Sequence, residues 1–295
     1  MPKLKVGRAP ARKPTPFADL NSALAVLVEG VQARLGDNLI GVYLQGSFAV
    51  GDADAVSDCD FIVVIRRDLT DAEIASIDEM HAAIHDLPYV PWRHRLEGSY
   101  VPADILRRWS LTPRDPPGAP RPDDWADPGL SGSPPRAYPF VYLDHGARSV
   151  ARSEHDNTQV VRWCLREKGV VLAGPDPKRL VDPVPPAALR AEVRETMDRC
   201  LAVDLQPIEL AIWQAFWVGL FCRILHTLAT GAVASKKAGS LWAMATLDTQ
   251  WRGLIERALV VRDGDRAAAM LPADPADVAA TRDFVRYAID YADRG

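Results

Sequence analysis

The chain has 295 residues, of which 48% are hydrophobic and 25% are charged, as in soluble globular proteins of one large or two ordinary domains. Its formal net charge of −4 argues against a surface that coats nucleic acid and weakly favours a cationic partner. The four cysteines are widely spaced in apolar segments and form no metal-type pair, which indicates reduced core thiols and a reducing cytoplasm.

The N-terminal part of the chain predicts a tail and then a helix. Residues 1–16 are basic and rich in proline without an apolar core, so we expect a disordered tail that is neither a secretion signal nor a membrane anchor. Apolar residues recur at helical spacing over 17–35, and Gly36-Asp37-Asn38 predicts the end of that helix.

The next segment carries the most informative pattern. An apolar strand over 39–44 leads into a tight Gly46-Ser47 turn, and after a loop of ten residues a second strand begins at Asp58. Because alternate strand residues share a face, Asp58 and Asp60 point their carboxylates together. Such a pair repels itself unless a cation lies between, and Mg²⁺ prefers oxygen ligands that it shares with substrate phosphates. The turn offers N–H groups and a hydroxyl to phosphate oxygens, so the pattern predicts a site for a metal-bound triphosphate.

Two other interpretations concern the aspartates of this segment. Asp58 and Asp60 could form a solvated strand start beside a turn. A second Asp-x-Asp pattern, Asp52-Ala53-Asp54, lies among small loop residues, where the preference of Asp for turns explains it.

Beyond this segment the pattern alternates between helix and strand, as in a mixed α/β domain. Thr70 and Glu73 have capping-box spacing at the start of a helix that we expect to end near Asp86. The next candidate strand runs over 94–101, and its alternation places Glu97 on the face opposite the core.

The second half of the chain predicts a loop and then helices. Proline and glycine dominate 110–139, so we expect a disordered loop or linker there. Beyond it the chain looks almost wholly helical and predicts a bundle of domain size. The longest apolar stretch, 210–222, is too short to span a bilayer and predicts a buried helix. The predicted helices are 153–168, 187–201, 207–230 ending at Gly231, one starting at Ser240, and 277–293.

The segment from Gly46 to Asp60 resembles the signature of the polymerase-beta-like nucleotidyltransferase superfamily, in which Gly-Ser precedes Asp-x-Asp on a strand. Gln45 departs from it, because the superfamily usually has an apolar or aromatic residue before the glycine. A third carboxylate comes from a later strand in this superfamily, and Glu97 is the residue at that distance. It would accept the proton of the attacking substrate hydroxyl; a solvent-facing Glu on an edge strand is the alternative.

A narrower resemblance covers most of the chain. A nucleotidyltransferase domain followed by a helical domain, with the segments 171–175, 182–185 and 234–236, looks like the streptomycin/spectinomycin adenylyltransferases, the aminoglycoside (3'')(9) class. This implies an α+β fold in which a mixed-sheet domain is followed by an all-α bundle. The expected divisions are a tail at 1–16, the sheet domain at 17–109, the linker at 110–139 and the helical domain at 140–295.

The resemblance assigns roles to residues of the first domain. It implies that Asp58 and Asp60 ligate Mg²⁺, that Gly46 and Ser47 contact the triphosphate, and that Glu97 is the general base.

The resemblance also assigns two cations of the helical domain to the nucleotide. Lys236 and Arg223 match a lysine and an arginine that face its phosphates, where cations stabilise charge that builds during displacement. Alternatively, Lys236 lies just beyond a helix end, where the helix dipole favours a cation. Arg223 in an apolar helix needs an anion, which could instead be Glu209 or another structural carboxylate.

The positions expected to bind the acceptor fit the family poorly. Tyr142 lies near a family tryptophan, Glu209 near an acidic position, and Trp213 where another acid is expected, while Arg262 lies near the position of the adenine-packing tyrosine. Aromatic residues on a long apolar helix usually pack in a core, and this applies to Trp213 and Trp217.

The resemblance therefore implies a monomeric cytoplasmic enzyme that transfers AMP from MgATP to a hydroxyl of an aminoglycoside or aminocyclitol and releases pyrophosphate. Its expected partners are ATP and a small cationic or polyol acceptor, without nucleic acid or membrane. The alternatives are a nucleotidyltransferase with another small-molecule, protein or RNA acceptor, and a non-catalytic antitoxin-like module.

Overall fold

The computed structural model describes residues 13–53, 57–87, 91–107, 140–202, 205 and 207–294. Within these residues the chain forms one six-stranded mixed sheet and eleven α-helices, which confirms the α+β class. The predicted linker over 110–139 and residues 1–12 of the predicted tail lie outside the described residues.

The sheet combines parallel and antiparallel strands in the order β5-β4-β3-β2-β1-β6. Only β2 and β3 are parallel among these neighbours, and their register places Asp60 opposite Glu97. Both strands lie in the middle of the sheet, which explains why β2 reads as a nearly continuous apolar run. The strands are β1 (Leu39–Leu44), β2 (Cys59–Ile65), β3 (Leu96–Pro102), β4 (Phe140–Leu143), β5 (Ala151–Ser153) and β6 (Val170–Ala173).

The helices cover both faces of the sheet and form a bundle beside it. They are α1 (Ala18–Leu35), α2 (Gly46–Val50), α3 (Asp71–His85), α4 (Ala103–Arg107), α5 (Gln159–Lys168), α6 (Pro186–Ala202), α7 (Ala211–Thr230), α8 (Lys236–Thr246), α9 (Arg252–Asp263), α10 (Arg266–Ala269) and α11 (Pro275–Arg294).

One face of the sheet packs against α1 and α3. Leu24 of α1, Phe61 of β2 and Ile77 of α3 belong to the same buried cluster. The predicted capping box at the start of α3 is confirmed: the Thr70 hydroxyl accepts from the Glu73 N–H, and the Glu73 carboxylate accepts from the Thr70 N–H. On the opposite face of the sheet, a second cluster packs Ile62 against α5.

The centre of the bundle is α7, which packs against α6, α8, α9 and α11. Its Trp217 and Phe221 are fully buried, and it ends at Gly231 with φ 70°, a conformation that glycine adopts without strain. Among the described helices, α7 has the length and apolar composition of a membrane span, but more than half of its most apolar stretch is buried inside the protein. This is the pattern of a core helix.

The expectation of an almost wholly helical chain after residue 139 is wrong for three segments. Phe140–Leu143, Ala151–Ser153 and Val170–Ala173 are strands that complete the sheet. Each has only three or four residues, too few for periodicity to separate strand from helix. The domain limits stay a prediction, and since β6 pairs with β1 we propose to move the boundary from 139 to the end of β6.

Several predicted element starts also shift. The Gly46-Ser47 pair opens the short helix α2 instead of a simple turn, and the third strand begins at Leu96 instead of 94. The predicted helix at 153 begins after Thr158, whose hydroxyl accepts from the Val161 N–H.

Two starts in the bundle shift for similar reasons. The helix predicted from 207 begins at Ala211, because Leu210 forms a β-bridge with Pro272. The helix predicted from Ser240 begins at Lys236, because Ser235 caps it by accepting from the Ala238 N–H. These tertiary and capping contacts override the apolar periodicity.

Candidate active site

A cavity of about 530 Å³ lies between the end of the sheet where β2 and β3 begin and the bundle helices α7 and α8. The three predicted carboxylates and both predicted cations line it. Side chains from α2, α5 and α9 complete its wall. Its polar lining includes Gln45, Ser47, Asp52, Asp58, Asp60, Glu97, His145, His155, Asp156, Arg223, Lys236 and Arg262.

The backbone of Gly46 lies directly against the side chain of Asp60. Gly46 has φ 60°, and a Cβ atom on it would overlap the Asp60 carboxylate. A glycine is therefore required here by both conformation and space. This close approach brings the α2 N-terminus and the adjacent Ser47 to the carboxylates at the start of β2 and β3.

Asp60 has an environment that disfavours its charged form. Desolvation is the main cause, and the neighbouring carboxylates of Glu97 and Asp156 add to it, so the pKa of Asp60 is raised to about 8. Lys236 acts in the opposite direction from across the cavity. A bound divalent cation would offset the repulsion between Asp60 and its neighbouring carboxylates.

A histidine adjoins the carboxylates. His145 Nε2 lies 3.5 Å from Asp58 Oδ2 and 3.7 Å from Glu97 Oε2, and Asp144 contacts its Nδ1. Hydrogen bonds with Asp144 and then Asp58 raise the pKa of His145 to about 11. Ligand atoms of Asp58, Glu97 and His145 all lie within 4.8 Å of one another, the spacing of a metal-binding group.

The carboxylate of Glu97 is held by contacts on its other oxygen. The Tyr142 hydroxyl donates to Glu97 Oε1, and His155 Nε2 lies 3.3 Å from the same atom. The rings of Tyr142 and His155 stack with centroids 4.6 Å apart. Burial opposes protonation of His155, but the hydrogen bond to Glu97 and the nearby negative charges of Asp156, Glu97 and Asp60 together outweigh it and raise the pKa of His155 to about 9. Glu97 thus has one oxygen fixed and the other directed toward His145 and Asp58.

Asp156 forms a buried polar network beside Glu97. Its side chain accepts hydrogen bonds from Ser99 Oγ at 2.6 Å and from Gln45 Nε2 at 3.2 Å. Burial raises the pKa of Asp156 despite these bonds. The contact gives a structural reason for Gln45, which departs from the apolar residue of the superfamily pattern.

Two unsatisfied polar atoms bear on whether a metal-bound triphosphate fits. Asp58 Oδ1 and Ser47 Oγ are buried and form no hydrogen bond with any described residue. A buried oxygen without a partner is costly, so each is suited to an external ligand. A divalent cation beside Asp58 and a phosphate beside Ser47 would satisfy both, and the donor set is one that Mg²⁺ accepts.

Cations of the bundle form the wall opposite the carboxylates. Lys236 is the first residue of α8, so the alternative of a lysine favoured at a helix C-terminus is wrong; the dipole disfavours a cation at this end.

Desolvation, together with nearby Arg262, lowers the pKa of Arg223. Among the described residues Arg223 forms no hydrogen bond or ion pair, whereas Glu209 is exposed outside the cavity lining. An external anion therefore fits Arg223 better than Glu209 does.

The chain is similar to known proteins in both sequence and fold. Residues 179–288 match the family model of the aminoglycoside adenylyltransferase C-terminal domain. An aminoglycoside (3'')(9) adenylyltransferase from Escherichia coli is 24% identical over 280 residues, which cover 86% of this chain and 90% of the relative. One from Shigella flexneri is 24% identical over 263 residues, covering 81% and 84%.

The chain is similar to the aminoglycoside adenylyltransferases over most of its length and matches the model of their C-terminal domain at residues 179–288. It is thereby an enzyme of the nucleotidyltransferase class. Its fold is that of a spectinomycin adenyltransferase from Enterococcus faecialis, whose crystal structure was determined with ATP and spectinomycin. The two structures share a TM-score of 0.66 at 15% identity, covering 91% of this chain and 98% of the other.

The three residues predicted to bind the acceptor lie in different surroundings in the structure. Trp213 is half-buried and lines the cavity, where it packs edge-to-face with Phe216. The expectation that it is a core residue is therefore wrong, whereas Trp217 is fully buried as expected. Tyr142 contacts Glu97 and Glu209 does not line the cavity, so the three do not form one group.

Sequence reasoning missed His145, His155 and Asp156. They lie 48 to 59 residues after Glu97 along the chain and reach it only because β4 pairs with β3 and β5 with β4. A weak signal existed in the adjacent polar pair of His155 and Asp156 just before the capping Thr158. For His145 the sequence offers only a polar Asp-His-Gly turn.

Proposed function

We propose that this enzyme transfers AMP from MgATP to a hydroxyl group of an aminoglycoside or aminocyclitol, such as streptomycin or spectinomycin, and releases pyrophosphate. The observation that carries the proposal is the convergence of Asp58, Asp60 and Glu97 on one wall of a cavity, with Arg223 and Lys236 on the other. The relatives named as aminoglycoside (3'')(9) adenylyltransferases support this choice of acceptor.

Glu97 acts as the general base. One of its oxygens is occupied by Tyr142 and His155, which fixes the carboxylate, and the other faces the cavity. A carboxylate held this way accepts the proton of the acceptor hydroxyl as that oxygen attacks the α-phosphorus of ATP. The P–O bond to pyrophosphate breaks, so the leaving group takes the electron pair.

Asp58 and Asp60 hold Mg²⁺ in this proposal. The unpartnered Asp58 oxygen and the raised pKa of Asp60 support a cation there. Bound Mg²⁺ neutralises charge that develops on the phosphate oxygens. Without it, the three carboxylates would repel both one another and the triphosphate.

The nucleotide phosphates lie between the α2 N-terminus and the bundle cations. Gly46 and Ser47 approach them from the sheet side, where the Ser47 hydroxyl has no partner among the described residues. Lys236 and Arg223 approach from the bundle side. Fixed donors aimed at the phosphates stabilise the charge of the displacement without reorganising.

A different acceptor is the second candidate, and one observation favours it. The helix α7 faces the cavity with Ile212, Trp213 and Phe216, and it contains no Asp or Glu along its length. A strongly cationic drug would find few carboxylates on this wall. The aromatic wall suits an acceptor with an apolar face and little charge.

The test is pyrophosphate release from MgATP with streptomycin, spectinomycin and related aminocyclitols. For wild type we expect drug-dependent turnover, and for Glu97→Gln a fall in kcat of about 10²- to 10⁴-fold with MgATP binding retained. Asp60→Ala should abolish turnover, while Glu79→Gln, at an exposed position on α3, should change neither quantity. Retained MgATP binding without turnover on any drug would favour the other acceptor class.

A further inference from the structure

The turn between β4 and β5 brings His145 to the carboxylates. Its Nε2 atom lies 3.5 Å from Asp58 Oδ2 and 3.7 Å from Glu97 Oε2. The 3.5 Å separation from Asp58 is short enough for one cation to contact both atoms. The three ligand atoms belong to elements that are far apart in sequence, so the group is a product of the fold.

The backbone and a neighbouring carboxylate hold the ring in this place. His145 has φ 41°, an uncommon value for a residue with a side chain. The Gly146 N–H donates to Leu96 O at 2.6 Å, which ties the turn to the start of β3. Asp144 contacts Nδ1, so Nε2 is the nitrogen presented to the carboxylates. A carboxylate behind a histidine is the usual arrangement that orients a metal-binding imidazole.

A further observation is independent of the histidine. Asp58 Oδ1 is buried, and no described residue hydrogen-bonds to it. Asp58 can therefore still bind a cation through Oδ1 while its Oδ2 contacts His145. Satisfying a buried carboxylate oxygen with a cation removes the cost of leaving it unpaired.

We propose that His145 Nε2 is a protein ligand of the divalent cation beside Asp58, with Glu97 kept as the base, and that this mixed nitrogen and oxygen site favours Mn²⁺ or Co²⁺ over Mg²⁺. The inference rests on the proposed function, which requires a divalent cation beside the triphosphate. Mg²⁺ demands hard oxygen ligands, whereas imidazole suits the transition metals, whose affinity rises from Mn²⁺ to Co²⁺. His145 thereby determines which metal supports the enzyme best.

Pulsed electron paramagnetic resonance of the full chain loaded with Mn²⁺ tests the ligand directly. Spectra are recorded with Mn²⁺ alone and with Mn²⁺ plus tripolyphosphate, because tripolyphosphate mimics the nucleotide phosphates without adding adenine nitrogens. We expect ¹⁴N modulation from one imidazole in wild type and in His94→Ala, which removes an exposed histidine outside the group. In His145→Ala the modulation should disappear.

Metal titration supplies the second measurement. His145→Ala should weaken Mn²⁺ binding by about tenfold or more, because one protein ligand is lost, and should weaken Mg²⁺ binding much less. Mn²⁺ binding without ¹⁴N modulation in wild type would overturn the assignment, as would modulation that persists in His145→Ala.

These failures differ from a failure of the proposed function. If Asp58→Asn still weakens Mn²⁺ binding while no ¹⁴N modulation is seen, only the role of His145 is wrong. If Asp58→Asn also leaves Mn²⁺ affinity unchanged, the metal site of the proposed function is wrong as well.

Discussion

Lys236 and Lys237 are adjacent but lie in different electrostatic surroundings. Lys236 lines the cavity and acts on Asp60, whereas Lys237 is exposed, with its Nζ atom 3.8 Å from Asp263 Oδ2. Since α8 begins at this pair, its dipole does not explain a cation here. The carboxylates that line the cavity, such as Asp60, explain a cation at position 236.

We therefore expect Lys236→Met to lower kcat/KM for ATP by about tenfold to a hundredfold, because a charge aimed at the phosphates is lost. Steady-state kinetics with varied MgATP would measure this, with Lys237→Met as the matched control that removes an equal charge one residue away. Equal effects of the two substitutions would indicate general attraction of the nucleotide instead of a specific contact.

Helix α8 is positioned by a contact across the cavity. Asp52, in the loop after α2, accepts from the Lys237 N–H at 2.9 Å, and Ser235 caps the same helix end. The interpretation of Asp52 as a turn residue is thus incomplete, because its carboxylate also favours the positive end of the α8 dipole. The contact fixes Lys236 relative to the carboxylates of the sheet.

Asp52→Ala should therefore raise KM for ATP several-fold and lower the unfolding free energy by about 1 kcal/mol, as loss of a helix cap usually does. Asp52→Asn should restore most of the ATP affinity and most of the stability, because its amide oxygen still accepts from the Lys237 N–H. Asp248→Ala, which removes a similar cap before residues 249–251, serves as the control for the kinetic effect. A KM unchanged in Asp52→Ala would show that the contact does not position Lys236.

The stability of the whole molecule should depend on pH through a buried histidine of the sheet domain. His81 Nε2 lies 2.8 Å from the Tyr100 hydroxyl, and the side chain is 1% exposed. Burial and, to a lesser extent, Arg34 lower the pKa of His81 to about 3. In the unfolded chain the same group has an ordinary pKa of about 6.5.

As the pH falls, the unfolded state therefore binds this proton first. The stability that comes from keeping His81 neutral in the folded state is complete above about pH 6.5 and is lost between pH 6.5 and pH 3. We expect the unfolding free energy to fall by up to about 1.4 kcal/mol per pH unit in that range. Urea unfolding of wild type and His81→Gln between pH 7 and pH 5 measures it. His81→Gln keeps a hydrogen-bond partner for Tyr100 without a titrating group, so it should show a flatter pH dependence; parallel profiles would contradict the assignment.

Local features were readable from the sequence. The capping box at Thr70 and the Asp58-x-Asp60 pattern depend on residues within a few positions, where spacing alone determines geometry. The α+β class and the resemblance to the aminoglycoside adenylyltransferases followed from these local patterns together with the apolar periodicity. The residues assigned to the metal, the base and the nucleotide all line the cavity. Of the three acceptor positions, Trp213 lines it and Tyr142 and Glu209 do not. The roles of all these residues remain predictions.

Only the tertiary structure decided where the short strands lie and which residues meet in the cavity. The short strands β4, β5 and β6 carry too few residues to reveal a period, and they become strands because they pair with distant edges of the sheet. The same pairing brings His145 and Asp156 to Glu97, and docking of the bundle brings Lys236 to Asp60. The sequence alone determined which chemistry the chain carries, since that depends on local residue types. Their assembly into one site depends on contacts between distant segments, which local spacing does not encode.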